Sequence, residues 1–248
     1  MLNNFAVIVP VYNSEQWIGK WIESILTQDY ENYKLYVIDD HSTDQTWDII
    51  KSYNIYCKRN KERIGALANL IHGINQFNKE DIIVTIDGDD SLADDYILSY
   101  LNEIYQQNIW LTYGSFLPVS KRYSGTCQPL SNTKTVNEDG NWVRNQLTSQ
   151  TYRESGVWVT SHLRTFRKWL WDKVNNEDLR DENGYYKVAW DMAFMYPMIE
   201  MASNHILFIE KILYIYNDLN PNCDGTVDPE LQIRTGKSIQ AKSIYKEL

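Results

Sequence analysis

Over residues 5–107, short runs of β-branched or aromatic side chains alternate with segments whose apolar positions recur at helical spacing. The runs are "FAVIVP" from 5, "YKLYVID" from 33, "NIYCK" from 54 and "DIIVTID" from 81; the helical segments fall at about 15–27, from about 43, at 63–77 and at 93–107. This alternation predicts repeated βαβ units, hence an α/β fold with a Rossmann-like, mostly parallel sheet flanked by helices. In the first helix Trp17, Ile18, Trp21, Ile22, Ile25 and Leu26 recur at i, i+4 and i+8, which places them on one core-facing stripe. The second half of the chain is less regular.

Right-handed crossovers bring the loop-bearing strand ends to one edge of such a sheet, and ligands bind at that carboxyl edge. Three ends carry polar side chains: "PVYN" (Pro10, Val11, Tyr12, Asn13), "DDHSTD" (opening with Asp39 and Asp40) and "DGDD" (Asp87, Asp89, Asp90). The last belongs to "DIIVTIDGDDSLADDY", where five aspartates fall within nine positions, Asp94 and Asp95 being the other two. Turns and helix caps explain part of this, since Asp94 and Asp95 suit the first turn of the next helix. Independent turns have no reason, however, to gather Asp39, Asp40, Asp87 and Asp89 on one rim. A ligand site does.

The chain contains neither GxGxxG nor GxxxxGK[ST], so no glycine-rich loop wraps a diphosphate in backbone amides. A metal ion is the other way to neutralise one. Carboxylates spaced as Asp87-x-Asp89 after a strand supply hard oxygen ligands to Mn²⁺ or Mg²⁺ and leave positions open for phosphate oxygens. Arg63, at the head of the third helix, adds a cation near the same edge, although a lone arginine also reads as a solvated surface residue.

Bulk properties narrow the partners. No Pro/Gly/Ser-rich linker divides the 248 residues, which read as one domain: a ligand-binding half at 1–115, an elaborated half at 116–227 and a helical tail at 228–248. In the tail Leu231, Ile239 and Ile244 are available for docking, a second subunit included. A formal net charge of −9 without a Lys/Arg run argues against nucleic acid. The three cysteines, Cys57, Cys127 and Cys223, are widely spaced, which indicates neither a disulfide framework nor a zinc site. "MLNNFAVIVPVYN" has no basic leader region and no apolar run approaches the ~20 residues of a membrane span. The expectation is a soluble protein of a reducing compartment, the cytoplasm.

Taken in series, "FAVIVPVYNSEQWIGKWIESILTQDYENYKLYVIDDHSTDQT", "RIGALAN" and "TIDGDDSL" resemble the nucleotide-binding half of glycosyltransferase family 2, inverting enzymes of GT-A fold. The resemblance implies that Pro10 to Asn13 and Asp39 hold the base of a nucleotide, usually uridine, and that Arg63 contacts the nucleotide. It implies that Asp87 and Asp89 form the DxD motif sharing ribose and metal, with Asp90 a further metal candidate and Asp40 behind them.

In the second half, "SHLRTFRKWLWDKV" and "YYKVAWDMAFMYPMIEMA" resemble the family's later block, in which an acidic residue opening a helix acts as general base. That position is Asp191. Many relatives carry Glu-Asp there, whereas this chain has Trp190-Asp191, and an Asp so placed also suits a helix cap. Should Asp191 be only a cap, Asp172 and Glu177 are the next carboxylates to consider. His162 and Arg164 are candidates for the acceptor or diphosphate side, His162 equally for a structural role. Most tryptophans beyond residue 140 read as core, with Trp190 the candidate for acceptor contact. The family's processive Gln-x-x-Arg-Trp motif is absent, so the implied activity is non-processive transfer from a nucleotide-sugar to a glycan or other hydroxyl acceptor. Two rivals remain: a nucleotidyltransferase, which usually needs a basic glycine-rich loop, and a catalytically silent carbohydrate-binding relative.

Overall fold

Every residue of the first strand, Phe5–Val11 (β1), is buried. A strand apolar on both faces belongs at the centre of a sheet covered on both sides. The computed structural model, which describes residues 2–122, 125, 127–136, 142–221 and 228–248, places it there. Cys223 lies outside the described residues.

In chain order the remaining elements are α1 (Ile18–Leu26), β2 (Tyr33–Asp39), α2 (Thr46–Ser52), β3 (Tyr56–Arg59), α3 (Ala66–Ile74), β4 (Ile82–Thr85), β5 (Ser91–Leu92), α4 (Ile97–Tyr105) and β6 (Leu111–Pro118). There follow β7 (Thr133–Val136), β8 (Trp142–Asn145), β9 (Arg164–Arg167), α5 (Lys168–Trp171), β10 (Arg180–Asp181), β11 (Gly184–Tyr185), α6 (Trp190–Ala202), β12 (Ile206–Tyr216) and α7 (Pro229–Gln240). Eight strands form one sheet in the order β3-β2-β1-β4-β9-β6-β12-β5. The β3-β2-β1-β4 half is parallel throughout, as the βαβ pattern predicts. Beyond β4 the sheet is mixed, because β9 runs antiparallel to both β4 and β6.

Two apolar layers cover the sheet. Ile18, Trp21, Ile22 and Ile25 of α1 pack with Ile97, Leu98 and Leu101 of α4 on one face; Leu67, Leu70 and Ile74 of α3 pack with Phe194, Met195 and Met198 of α6 on the other. β9 is inserted between β4 and β6. It carries Arg164 beside the end of β4, pairing Arg164 with Thr85 two residues before the DxD motif.

The tail folds back on its own chain. Ile239 is buried against α6, and beyond the helix the Tyr245 amide donates to Glu200 Oε2 at 2.9 Å. Glu200 is itself clamped by Arg153, whose Nε and Nη2 lie 2.5 and 2.7 Å from its two oxygens. Of the three tail residues expected to dock, Ile239 does so, Leu231 lines the cleft described below, and Ile244 is exposed. Among the described residues no helix is long and apolar enough to cross a membrane.

Candidate active site

A cleft of about 750 Å³ opens over the carboxyl ends of β1, β2 and β4, in the size range of small-molecule sites. Its walls bring together Pro10, Val11, Tyr12, Arg63, Asp87, Asp89, His162, Arg164, Trp190 and Asp191, from five separate chain segments. Asn13, Asp39 and Asp90, also expected at the ligand, do not line it.

Each of those three does something else. Asn13 sits at φ 48° and its Oδ1 accepts the Thr43 amide at 2.8 Å, tying the loop after β1 to the loop after β2. Asp39 is fully buried; its Oδ1 accepts the Ser42 amide at 3.2 Å and its Oδ2 lies 3.1 Å from Arg59 Nε. Successive residues at a strand end point to opposite sides, so the cleft receives Asp40 instead. Asp40, expected behind the site, accepts the amides of Ile64 and Gly65 at 2.9 and 2.8 Å and the Asn60 side chain at 3.0 Å. Burial opposes its ionisation, but these donors outweigh it and hold its pKa below the usual carboxylate range. The same carboxylate steadies the loop that presents Arg63, whose guanidinium lies 3.9 Å from the centre of the Tyr12 ring.

The glycine of "DGDD" is dictated by packing. A Cβ on Gly88 would fall 2.6 Å from Val11 Cβ and 2.8 Å from the Pro10 carbonyl oxygen. The tight passage is also pinned by Trp21, whose indole N–H donates to the Gly88 carbonyl at 2.5 Å. The flanking aspartates are thereby fixed in direction. Asp89 Oδ2 accepts the Asn220 side chain at 2.6 Å. Asp90 Oδ1 accepts the Asn217 amide at 2.6 Å, and the Asp87 amide donates to the Tyr214 hydroxyl at 3.0 Å. Burial raises the pKa of Asp89. Burial first, then the charges of Asp89 and Asp87, push Asp90 well above the usual range. Three carboxylates in such a setting do not all stay charged unless a cation offsets them.

Arg164 supplies the only buried guanidinium here among the described residues. Its Nη1 donates to Asp191 Oδ2 at 2.8 Å and its Nη2 lies 3.7 Å from Asp87 Oδ2. Burial would weaken its proton affinity, but the charges of Asp191 and Asp87 raise the pKa above the ordinary value. Trp190 lies against the same guanidinium, its ring centre 5.7 Å from Cζ. Asp191 is not the cap of α6: Ala189 occupies that position at φ 50°, and Asp191 stands in the first turn with Oδ1 accepting the Met192 amide at 3.0 Å. Its side chain is 22% exposed and faces the cleft. His162 packs its ring against Tyr214 and Tyr216 at 4.6 and 5.5 Å between centres. Burial and the neighbouring Arg164 hold its pKa well below the ordinary value, so the imidazole is neutral.

Several cleft residues carry no signal in the sequence. Lys187 donates from Nζ to the Ile64 carbonyl at 2.6 Å, beside Arg63, and Asp228, Leu231 and Gln232 of the tail close the far wall. Tyr214, Asn217 and Asn220 meet the DxD segment from more than 120 residues away. No local pattern marks such contacts.

The chain is similar to several known proteins. Glycosyltransferase GlyA of Streptococcus pneumoniae is 28% identical over 86% of this chain, which spans 30% of that protein. The UDP-Glc:alpha-D-GlcNAc-diphosphoundecaprenol beta-1,3-glucosyltransferase WfaP of Escherichia coli is 30% identical over 45% of each chain. The chain thus spans less than half the length of these relatives. Among solved structures, S. aureus TarS 1-349 in complex with UDP-GlcNAc superposes with a TM-score of 0.64 at 20% identity, covering 87% of this chain and 58% of that one. The likeness is one of fold, GT-A. The model of the family "Glycosyl transferase family 2" matches residues 6–173, more than half of the sequence, and the chain belongs to that family.

Proposed function

We propose that the protein transfers a sugar from a nucleotide-sugar, a UDP-sugar, to a hydroxyl group of a glycan or other acceptor, one sugar per event and with inversion. The observation that carries this reading is the bridge made by Arg164, which holds Asp191 and Asp87 at one end of a single cleft. A proton acceptor is thereby set beside the carboxylates that face a donor diphosphate. In support, the relatives include a protein named for a UDP-Glc donor and a fold neighbour bound to UDP-GlcNAc. Another fold neighbour, a mannosyltransferase of Pyrobaculum calidifontis in complex with GDP-Man and Mn²⁺ (TM-score 0.57), holds a metal.

The residues present fit a divalent ion. Asp87, Asp89 and Asp90 offer hard oxygen donors, and Asp90 Oδ2 is buried without a hydrogen-bond partner among the described residues. When bound there, Mn²⁺ or Mg²⁺ supplies charge neutralisation for the departing diphosphate. The chain's own residues do the rest. Tyr12 and Arg63 bound the nucleotide end of the cleft, where Arg63 and Lys187 add positive charge for phosphate oxygens. Asp191, steadied by Arg164, takes the acceptor's proton while the acceptor oxygen bonds to the anomeric carbon and the bond to the diphosphate breaks. One displacement inverts the centre, so an α-linked donor gives a β product.

Thermal shift with UDP and GDP, each with Mn²⁺, with Mg²⁺ and with chelator, tests the reading. UDP should raise the melting temperature only when metal is present, because a ligand stabilises through its binding to the folded state. Asp89→Asn should abolish that response. A shift indifferent to chelator and unchanged in Asp89→Asn would return the aspartates to turns and caps. NMR of the product's anomeric proton reports the stereochemistry, and turnover of donor separates an enzyme from a silent binding protein.

A further inference from the structure

Among the described residues, the polar atoms buried without a hydrogen-bond partner include Asp90 Oδ2, next to the cleft-lining Asp89, and His162 Nδ1, in the cleft wall. Their residues are only 2% and 8% exposed. Folded proteins rarely leave such atoms unused. Aromatic packing against Tyr214 and Tyr216 accounts for the place of the His162 ring, but a phenylalanine would pack as well. It does not account for a nitrogen that approaches Asp87 Oδ2 to 3.9 Å and makes no hydrogen bond to it.

Asp87, Asp90 and His162 each offer one atom such that all three lie within 4.8 Å of one another. An ion bonded at about 2.1–2.2 Å to each of two ligand atoms spans pairs roughly 3.0 to 4.4 Å apart, so 3.9 Å is in range and the widest spacing closes by a few tenths of an ångström. Asp87 and Asp191 pair with Arg164, the one buried cation of this site among the described residues, and Asp89 and Asp90 stand beside them, an excess of acidic groups that a divalent ion offsets. We propose that His162 is a ligand of the divalent ion, adding an imidazole nitrogen to the aspartates that follow β4; this rests on the metal-dependent reading above. A nitrogen in an otherwise oxygen set favours transition ions over Mg²⁺. Mn²⁺ is therefore the ion that this site prefers to Mg²⁺.

The test uses the full chain with Mn²⁺ and UDP. Free Mn²⁺ is titrated by its EPR signal, and bound Mn²⁺ is probed by pulsed EPR in protein with ordinary and with ¹⁵N-labelled histidine. Of the four histidines in the sequence, His162 alone lines the cleft among the described residues, and the label leaves UDP unchanged. The expected result is a directly bound ¹⁴N that converts to ¹⁵N on labelling. In His162→Gln the nitrogen coupling should vanish, with Mn²⁺ affinity at least about 10-fold weaker and the preference over Mg²⁺ narrowed. Bound Mn²⁺ without nitrogen coupling would overturn the proposal, leave His162 a packed core histidine and spare the metal-dependent reading. Failure to bind Mn²⁺ with or without UDP would sink both. The labelled pair decides even if the variant does not fold.

Discussion

Arg164 Nη1 lies 2.8 Å from Asp191 Oδ2, across 27 residues of sequence that carry the first from the start of β9 to the first turn of α6. The contact aims one carboxylate oxygen at the guanidinium and leaves a side chain that is partly open to the cleft. A buried arginine committed to two aspartates is costly to desolvate, and such pairs seldom exist for stability alone. On the proposed reading it orients the group that receives the proton.

That arrangement makes Asp191→Asn informative. The amide keeps the shape and can still approach Arg164 with its oxygen, but it does not accept a proton. Transfer should fall by about 10²-fold or more, the usual scale for a positioned base, while metal-dependent UDP binding stays near normal. Since Ala189 and not Asp191 holds the cap position of α6, a purely structural role predicts little change in either measurement. Single-turnover kinetics beside a UDP thermal shift decide between them, and near-normal turnover would send the search to other carboxylates of the second half.

Gly88→Ala probes the passage between the two DxD aspartates. The added methyl meets Val11 and the Pro10 carbonyl at 2.6–2.8 Å, and these are backbone and strand-bound atoms that do not swing away. Overpacking of this kind costs about 1–3 kcal/mol. Urea denaturation should register that loss, and the displaced aspartates should weaken the metal-dependent UDP response even at temperatures where the variant is folded. A variant with wild-type stability and UDP response would mean that Val11 and the Pro10 carbonyl can yield to the added methyl.

The parallel half of the fold was legible because its determinants are local. "YKLYVID" is β2 residue for residue, and the i, i+4 stripe of Trp21 and Ile25 faces the core. The site was legible where crossover handedness sets it: Tyr12, Asp87 and Asp89 meet at one edge because all β1 and β4 ends must. Asp39 and Asp40 show where that reasoning stops, since which of two adjacent carboxylates enters the cleft depends on the exact residue at which β2 ends. The antiparallel β9 was not legible as a neighbour of β4, because pairing across 80 residues leaves no periodic trace. With it went the bridge from Arg164 to Asp87. The same holds for Asn220 on Asp89 and for Lys187 beside Ile64.

The tail's attachment gives a stability prediction independent of chemistry. Arg153 and Glu200 are each no more than 2% exposed, and the pair also receives the Tyr245 amide and donates to the Ile239 carbonyl. Removing one partner leaves a buried charge, at a cost of about 3–5 kcal/mol. Glu200→Met and Arg153→Met should each lose that much in urea denaturation. The double variant should recover a large part of it, since no charge is then stranded; additive losses would show that packing around α7, not the ion pair, holds the tail.

Asp40 yields a prediction with a defined pH dependence. Its two oxygens accept the Ile64 and Gly65 amides and the Asn60 side chain, and Asn in its place offers one oxygen and turns an NH₂ toward an N–H donor. A buried donor left unsatisfied costs about 1–3 kcal/mol, so Asp40→Asn should be less stable than the wild type by that order at pH 7. Because the folded pKa is lowered relative to the unfolded one, the carboxylate's contribution is fully present above about pH 4 and is lost as the pH falls through the lowered value. Urea midpoints of the two proteins should therefore lie apart at neutral pH and converge toward pH 3. The loop that Asp40 holds also carries Arg63, so UDP should bind the variant more weakly at pH 7. A gap in stability that stays constant down to pH 3 would mean that the charge on Asp40 contributes nothing, and that the loop is held by Asn60 and Lys187 instead.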